Sequence, residues 1–172
     1  NDNLLANALF ADGSASLMIE AQSCSPLKLE LEDFHSDLAT DGLCDMAWTI
    51  GDLGFEMRLS SYVPDLIRKG ISGLTQSLLK KASVTLADIH HFAIHPGGKK
   101  ILQVIEEQLG IEKIHNEPAY NVLKNYGNMS SPTVIFVLKE IVRKLNGASH
   151  GERILGVAFG PGLTLESMIL KI

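Results

Sequence analysis

Short apolar runs alternate with longer amphipathic stretches over residues 63–172, and this alternation leaves few folds open to the chain. In the amphipathic stretches, apolar residues recur every three or four positions, which is the period of a helix with one buried face. The apolar runs are short and bounded by glycine or proline, as buried strands are. The alternation predicts an α/β fold with a mixed sheet covered by helices.

The ends of most elements can also be predicted. Helices are expected to begin near Pro64, at Leu86, after Gly98, at Glu117 and at Pro132. Strands are expected over residues 4–10, 15–19, 27–32, 46–50, 55–59, 92–94, 154–159 and 163–170. The turn Gly160-Pro161-Gly162 separates the last two strands, so we expect them to form an antiparallel pair.

Composition excludes several classes of protein. The chain has 172 residues, 45% of them hydrophobic, which is enough for one domain with a sizeable core. Its net charge of −5 argues against binding to nucleic acid. No apolar run approaches the ~20 residues that cross a bilayer, and no signal peptide is visible, so we predict a cytoplasmic protein that does not enter a membrane. The first residue is Asn1, and we expect the chain to begin within a longer protein.

His95 is the first candidate for chemistry. It ends the predicted strand 92–94 and precedes Pro96, Gly97, Gly98 and a helix. In open α/β sheets ligands bind at this end of the strands, and the two glycines permit close approach of a ligand to the backbone. A core histidine that bonds to a backbone carbonyl explains the position equally well. His91 lies four residues earlier but on a strand, so we predict no metal site.

Asn128 is the second candidate. It follows Gly127 at the start of another helix, where a carboxamide can be held rigidly and offer two N–H donors. As a turn residue or helix cap it would need no further role. If both candidates are functional, His95 and Asn128 form a two-donor site for an oxygen that develops negative charge.

Four motifs together resemble those of type III polyketide synthases, the chalcone synthase-like family of the thiolase fold. They are ALFADG at residues 8–13, HPGGKKIL at 95–102, NYGNMSSP at 125–132 and AFGPGLTLES at 158–167. They occur in the order and with the spacing of that family over nearly the whole chain. Ala11 and Ala158 stand where the family often has glycine.

The resemblance implies an acyltransferase that adds malonyl-CoA to an acyl-CoA starter by decarboxylative Claisen condensation, without a cofactor. It gives His95 and Asn128 the role of hydrogen-bond donors to the thioester oxygen of malonyl-CoA. Residues expected to line the substrate cavity are Phe10, Met57, Gly97, Gly98, Ser130, Phe159, Gly160, Pro161 and Gly162. The family nucleophile is a cysteine in an N-terminal half, and neither Cys24 nor Cys44 has its sequence context.

The fold implied is the C-terminal half of a thiolase-like enzyme, with a mixed five-stranded sheet covered by helices. Residues 1–22 are expected to be the end of the N-terminal half, and residues 23–172 the chalcone synthase-like C-terminal domain. The expected partners are that N-terminal half and a second copy in a homodimer. Two alternatives stay open: a ketoacyl synthase III-like enzyme of fatty-acid synthesis, and a non-catalytic thiolase-fold assembly domain.

Overall fold

The computed structural model describes residues 7–43, 45–52, 54–60 and 62–172. The strands are β1 (Glu30–Leu38), β2 (Met46–Gly51), β3 (Gly54–Leu59), β4 (His91–Ile94), β5 (Arg153–Gly160) and β6 (Thr164–Lys171). The α-helices are α1 (Val63–Lys81), α2 (Lys99–Leu109), α3 (Glu117–Tyr126) and α4 (Pro132–Val142). Short 3₁₀ helices lie at Thr40–Gly42, Leu86–Asp88, Lys113–Asn116 and Gly147–Ser149. The predicted α/β class is confirmed.

The main sheet is mixed, with the strand order β1-β6-β5-β4. β5 and β6 form the predicted antiparallel pair, and their register ends with Gly160 opposite Thr164. β4 lies parallel to β5, because the chain crosses over through α2, α3 and α4 between them. His95 therefore leaves the sheet at the carboxyl end of a strand, as predicted.

The expected fifth strand of this sheet is wrong, since the main sheet has four strands among the described residues. β2 and β3 instead form a separate two-stranded sheet. Their register places Trp48 opposite Met57 and Ile50 opposite Phe55, so these apolar side chains share one face. The two strands pair with each other and add no strand to the main sheet.

The N-terminal strands were also predicted wrongly. The predicted strand 4–10 begins outside the described residues; residues 7–9 are helical, and Phe10 forms a single β-bridge with Asn128. Residues 15–19 have no regular structure, and the side chains of Met18 and Ile19 are 85% and 92% exposed. A strand exists only beside a partner, and the described residues offer none here. The first strand of the main sheet starts at Glu30, opposite Lys171, rather than at Leu27.

The helices cover the sheet with the apolar faces that the spacing of their apolar residues predicts. α1 crosses β6 and β1, and a side chain at Gly70 would come within 2.7 Å of Leu165 in β6. α4 packs on β4, and α3 lies beside α4. The core between these elements contains fully buried side chains from every layer: Ile67, Ile71, Leu74, Ile94, Leu102, Ile105, Leu155, Leu165 and Ile169. Among the described residues, no helix combines the length and hydropathy needed to cross a membrane.

Candidate functional site

His95 is fixed at the end of β4 by its backbone. Its N–H donates to the Val157 carbonyl at 2.8 Å, which continues the parallel pairing with β5 by one residue. The residue is 7% exposed, and its ring meets the Phe159 ring edge-on at 5.3 Å between centroids. Burial lowers the pKa of His95 to about 4. The imidazole is therefore neutral at pH 7 and offers one N–H donor and one acceptor nitrogen.

Gly97 lets the strand end pass directly against Phe159. A Cβ atom at Gly97 would lie 2.6 Å from Cε2 of that ring, a distance that no real side chain tolerates. The Gly97 N–H donates to the His95 carbonyl at 3.0 Å, and α2 begins two residues later. A larger residue at Gly97 would therefore displace Phe159, which packs against the imidazole.

Asn128 is held by its backbone between α3 and α4. Its N–H donates to the Leu9 carbonyl at 3.0 Å, and its carbonyl accepts from the Ala11 N–H at 2.8 Å. The preceding Gly127 has φ 71° and ψ −165°, a conformation that side chains strongly disfavour. A Cβ atom at Gly127 would also approach the Ala11 Cβ to 3.1 Å. The N-terminal segment and the glycine together fix the position of Asn128.

The carboxamide of Asn128 is buried and directed by its neighbours. Asn128 is 3% exposed. Its Oδ1 accepts a hydrogen bond from the Ser130 N–H at 2.9 Å. Because a backbone N–H can only donate, this bond identifies the oxygen and places the NH₂ group on the other side. Nδ2 donates to the Gly97 carbonyl at 3.4 Å, two residues after His95. A strand end and a helix start thus bring the predicted pair to one place.

Thr133 belongs to this site and was missed by the sequence analysis. It is 0% exposed, and its hydroxyl accepts from the Met129 N–H at 2.8 Å and donates to the Ser130 carbonyl at 2.7 Å. The available signal was a hydroxyl residue directly after Ser-Ser-Pro, within the first turn of the helix. It was overlooked because threonine at a helix start is common.

The other predicted cavity residues fall into two groups. Phe10 and Ser130 flank Asn128, and Phe159 contacts both His95 and Gly97. Gly98 precedes α2, and the turn Gly160-Pro161-Gly162 follows Phe159 directly. Met57 lies instead on β3, buried opposite Trp48. The β2–β3 sheet is tied to the turn by the Gly162 N–H, which donates to the Met46 carbonyl at 3.3 Å.

A surface depression of about 390 Å³ lies elsewhere, beside α4. It is lined by Ser14, Ala15, Ser16, Ile135, Phe136 and Lys139. It contains none of the predicted site residues. Within the described part of the chain, no cluster of three or more His, Cys, Asp or Glu side chains is arranged to hold a metal ion.

Comparison with known families identifies the family of the chain that contains His95 and Asn128. The family described as "Chalcone and stilbene synthases, C-terminal domain" matches residues 31–172. The chain belongs to the chalcone and stilbene synthase family. The resemblance inferred from the four motifs is therefore confirmed at the level of the family.

Relatives of this chalcone and stilbene synthase domain are polyketide synthases. The chain is 34% identical to polyketide synthase 37 of Dictyostelium discoideum, over 99% of this chain and 6% of that protein. It is 33% identical to a putative chalcone synthase of Bacillus subtilis, over 98% of this chain and 48% of that protein. The chain thus spans less than half the length of these curated relatives.

A solved structure supports the same assignment for the fold. The C-terminal type III polyketide synthase domain of Steely1, a type I/III hybrid from Dictyostelium, superposes with a TM-score of 0.76 at 31% identity. The superposition covers 86% of this chain and 43% of that one. The chalcone and stilbene synthase domain described here therefore has a thiolase-like fold, and the roles of His95 and Asn128 within it stay predictions.

Proposed function

We propose that this chain supplies the decarboxylation site of a type III polyketide synthase that condenses malonyl-CoA with an acyl-CoA starter. The observation that carries the proposal is the convergence of His95 and Asn128, both buried, at the backbone of Gly97. Two neutral N–H donors in a site of low polarity stabilise charge that appears on an oxygen only during reaction. Decarboxylation of a malonyl thioester generates such a charge.

The reaction balances without a cofactor. The bond between the α-carbon and the carboxylate of malonyl-CoA breaks, CO₂ leaves, and the electron pair becomes an enolate on the thioester. His95 and Asn128 donate hydrogen bonds to the enolate oxygen, which lowers the barrier to its formation. The enolate carbon then attacks an enzyme-bound acyl thioester, a carbon–carbon bond forms, and the cysteine thiolate leaves.

The proposal assigns the acyl-carrying cysteine to the protein beyond these 172 residues. Cys24 is exposed in a segment without regular structure, and no helix begins at it. Cys44 lies outside the described residues. The relatives' greater length leaves room for a further half. The proposal also includes a homodimer in the cytoplasm, residues 1–22 as the end of that further half and residues 23–172 as the catalytic partner domain.

Substitution of the two donors tests the proposal in the protein that carries this chain together with its nucleophile. We expect Asn128→Ala and His95→Gln each to slow CO₂ release from malonyl-CoA by about 10²-fold to 10³-fold, the usual loss for one oxyanion donor. His91→Gln is the matched control, because His91 is a half-buried histidine that pairs with Glu152 at 2.8 Å, four residues before His95.

The result also separates the alternatives. Unchanged CO₂ release in both donor variants would contradict the proposal and favour a domain kept for assembly. Condensation that requires malonyl groups on an acyl carrier protein, rather than on coenzyme A, would instead indicate a fatty-acid condensing enzyme.

A further inference from the structure

The hydroxyl of Thr133 is buried beneath the turn that carries Asn128, although the proposed reaction does not require a hydroxyl there. Its Oγ1 lies 2.8 Å from the Met129 nitrogen, 2.7 Å from the Ser130 carbonyl oxygen and 3.4 Å from Asn128 Oδ1. The bond to the carbonyl three residues back is common for a threonine at a helix start, but the bond from the Met129 N–H lies outside the helix. The threonine therefore acts on residues 128–130 of the turn and not only on the helix.

The directions of these hydrogen bonds follow from the chemistry of a hydroxyl. The Met129 N–H can only donate, so Oγ1 accepts from it. The single hydroxyl hydrogen then goes to the Ser130 carbonyl at 2.7 Å rather than to Asn128 Oδ1 at 3.4 Å. The same carbonyl also accepts from the Thr133 N–H at 3.0 Å. Thr133 thus holds the backbone on both sides of the peptide that joins Met129 to Ser130.

Ser130, at the end of that peptide, has an unusual backbone conformation that affects Asn128 directly. Ser130 has φ 61°, in the left-handed region that residues other than glycine rarely adopt. In this conformation its N–H reaches Asn128 Oδ1 at 2.9 Å. Without the clamp by Thr133, Ser130 would relax toward an ordinary conformation and withdraw that donor. The carboxamide would then be held only by the long bond from Nδ2 to the Gly97 carbonyl at 3.4 Å, so the direction of its NH₂ group would be less well fixed.

We infer that Thr133 is a positioning residue whose hydroxyl keeps the Asn128 NH₂ group directed toward the thioester oxygen. The inference rests on the proposed function, because only decarboxylation uses that NH₂ group. It predicts a selective defect. Loading of the starter acyl group does not use Asn128 as a donor, so loading is spared while decarboxylation is slowed.

The test compares Thr133→Val, which removes the hydroxyl at nearly constant volume, with Thr133→Ser, which keeps it. It uses the protein that carries this chain together with its nucleophile. We expect Thr133→Val to lower kcat for CO₂ release from malonyl-CoA by about 10-fold to 100-fold, the scale of a misplaced catalytic group, with KM nearly unchanged. Thr133→Ser is expected to stay within about twofold of the wild type, since its hydroxyl makes the same bonds.

Thr75→Val is the matched control. Thr75 is also a buried threonine, 2% exposed in α1, and its hydroxyl has no hydrogen-bond partner among the described residues. Removal of that hydroxyl should leave both kcat and the melting temperature unchanged or slightly raised. If Thr133→Val does not fold, Thr133→Cys replaces it, because a thiol is of similar size but a weak donor and acceptor.

Two outcomes would overturn the inference. Wild-type CO₂ release in Thr133→Val, beside a clear loss in Asn128→Ala, would show that the turn holds without the hydroxyl and would leave the proposed function intact. An equal loss of starter loading and CO₂ release would indicate a general structural role. If Asn128→Ala itself releases CO₂ normally, the proposed function fails instead.

Discussion

His95 shows how its surroundings set the state of one side chain. The ring lies at the end of β4 and meets the Phe159 ring edge-on. Burial alone lowers its pKa from 6.5 to about 4. The imidazole is thus a neutral donor over the whole physiological range, which suits stabilisation of an oxyanion and not storage of a positive charge.

The lowered pKa of His95 predicts a loss of stability in mild acid. Below pH 6.5 the unfolded chain is protonated at His95, whereas the folded chain stays unprotonated down to about pH 4. The free energy of unfolding therefore falls as the pH falls through this window. Between pH 7.5 and 5.5 we expect His95 to remove about 1.4 kcal/mol from the free energy of unfolding. Urea unfolding of the 172-residue chain at the two pH values measures the change.

His95→Gln provides the comparison, because a glutamine does not titrate. We expect this variant to lose less stability than the wild type between the two pH values, by the amount assigned to His95. His91→Gln changes an imidazole that is only half-buried and leaves His95 in place. We expect the free energy of unfolding of this variant to keep the pH dependence assigned to His95. Equal pH dependence in the wild type and His95→Gln would contradict the assigned burial.

Helices and strands of this chain differed in how well the sequence predicted them. α2, α3 and α4 bury the apolar faces predicted for them and lie close to the predicted positions. Pro132 stands at a helix start and Gly110 at a helix end. A helix satisfies its own backbone hydrogen bonds, so local residues decide its limits. The strand predicted over residues 15–19 and the fifth strand expected in the main sheet were wrong, because a strand depends on a partner elsewhere in the chain.

The site divides in the same way. His95 and Asn128 could be predicted because each lies at the end of an element that the sequence marks clearly, with glycine beside it. Thr133 could not, because its importance depends on three hydrogen bonds around an unusual Ser130 conformation. Met57 was predicted by resemblance, and its place on the separate β2–β3 sheet follows only from the pairing of the strands.

Two glycine substitutions test how the turn before α4 is held. Gly127 has φ 71° and faces the Ala11 Cβ, so Gly127→Ala introduces both backbone strain and crowding. We expect it to lower the free energy of unfolding by about 1–3 kcal/mol. Gly73→Ala is the control: Gly73 lies within α1 with nothing within 4 Å of the added methyl group.

Gly73→Ala should stabilise the chain by about 0.5–1 kcal/mol, because alanine is the better helix former. Urea unfolding measures the free energy of unfolding, which should fall in Gly127→Ala and rise in Gly73→Ala. A Gly127→Ala chain as stable as the wild type would mean that the turn tolerates a side chain and is not held in the described conformation.

The site as a whole draws on distant parts of the chain. Residues 9–11 hold the backbone of Asn128, β4 delivers His95, β5 supplies Phe159, and α4 supplies Thr133. All of these groups lie within the 172 residues, so the donor pair can be formed by this chain alone. Under the proposed function, the acyl-carrying thiol comes from the protein beyond these residues.

The isolated 172-residue chain should therefore form no condensed product. Loss of the nucleophile from a covalent mechanism costs on the order of 10⁶-fold in rate. Cys24 is exposed, whereas the donor pair is buried. The measurement is product formation from acyl-CoA and malonyl-CoA by the purified chain. Condensed product that disappears in Cys24→Ala or Cys44→Ala would show that one of these cysteines is the nucleophile after all.

The bridge between Phe10 and Asn128 has a consequence for anyone who trims this chain by homology. The family match begins at residue 31, so a domain cut there loses the Leu9 carbonyl and the Ala11 N–H. Such a cut would keep β2 to β6 and all of β1 except Glu30. Yet Asn128 would stand in a turn stripped of its two backbone partners. Under the proposed function, the residues that the domain needs therefore begin upstream of the family match, at Leu9 or before it.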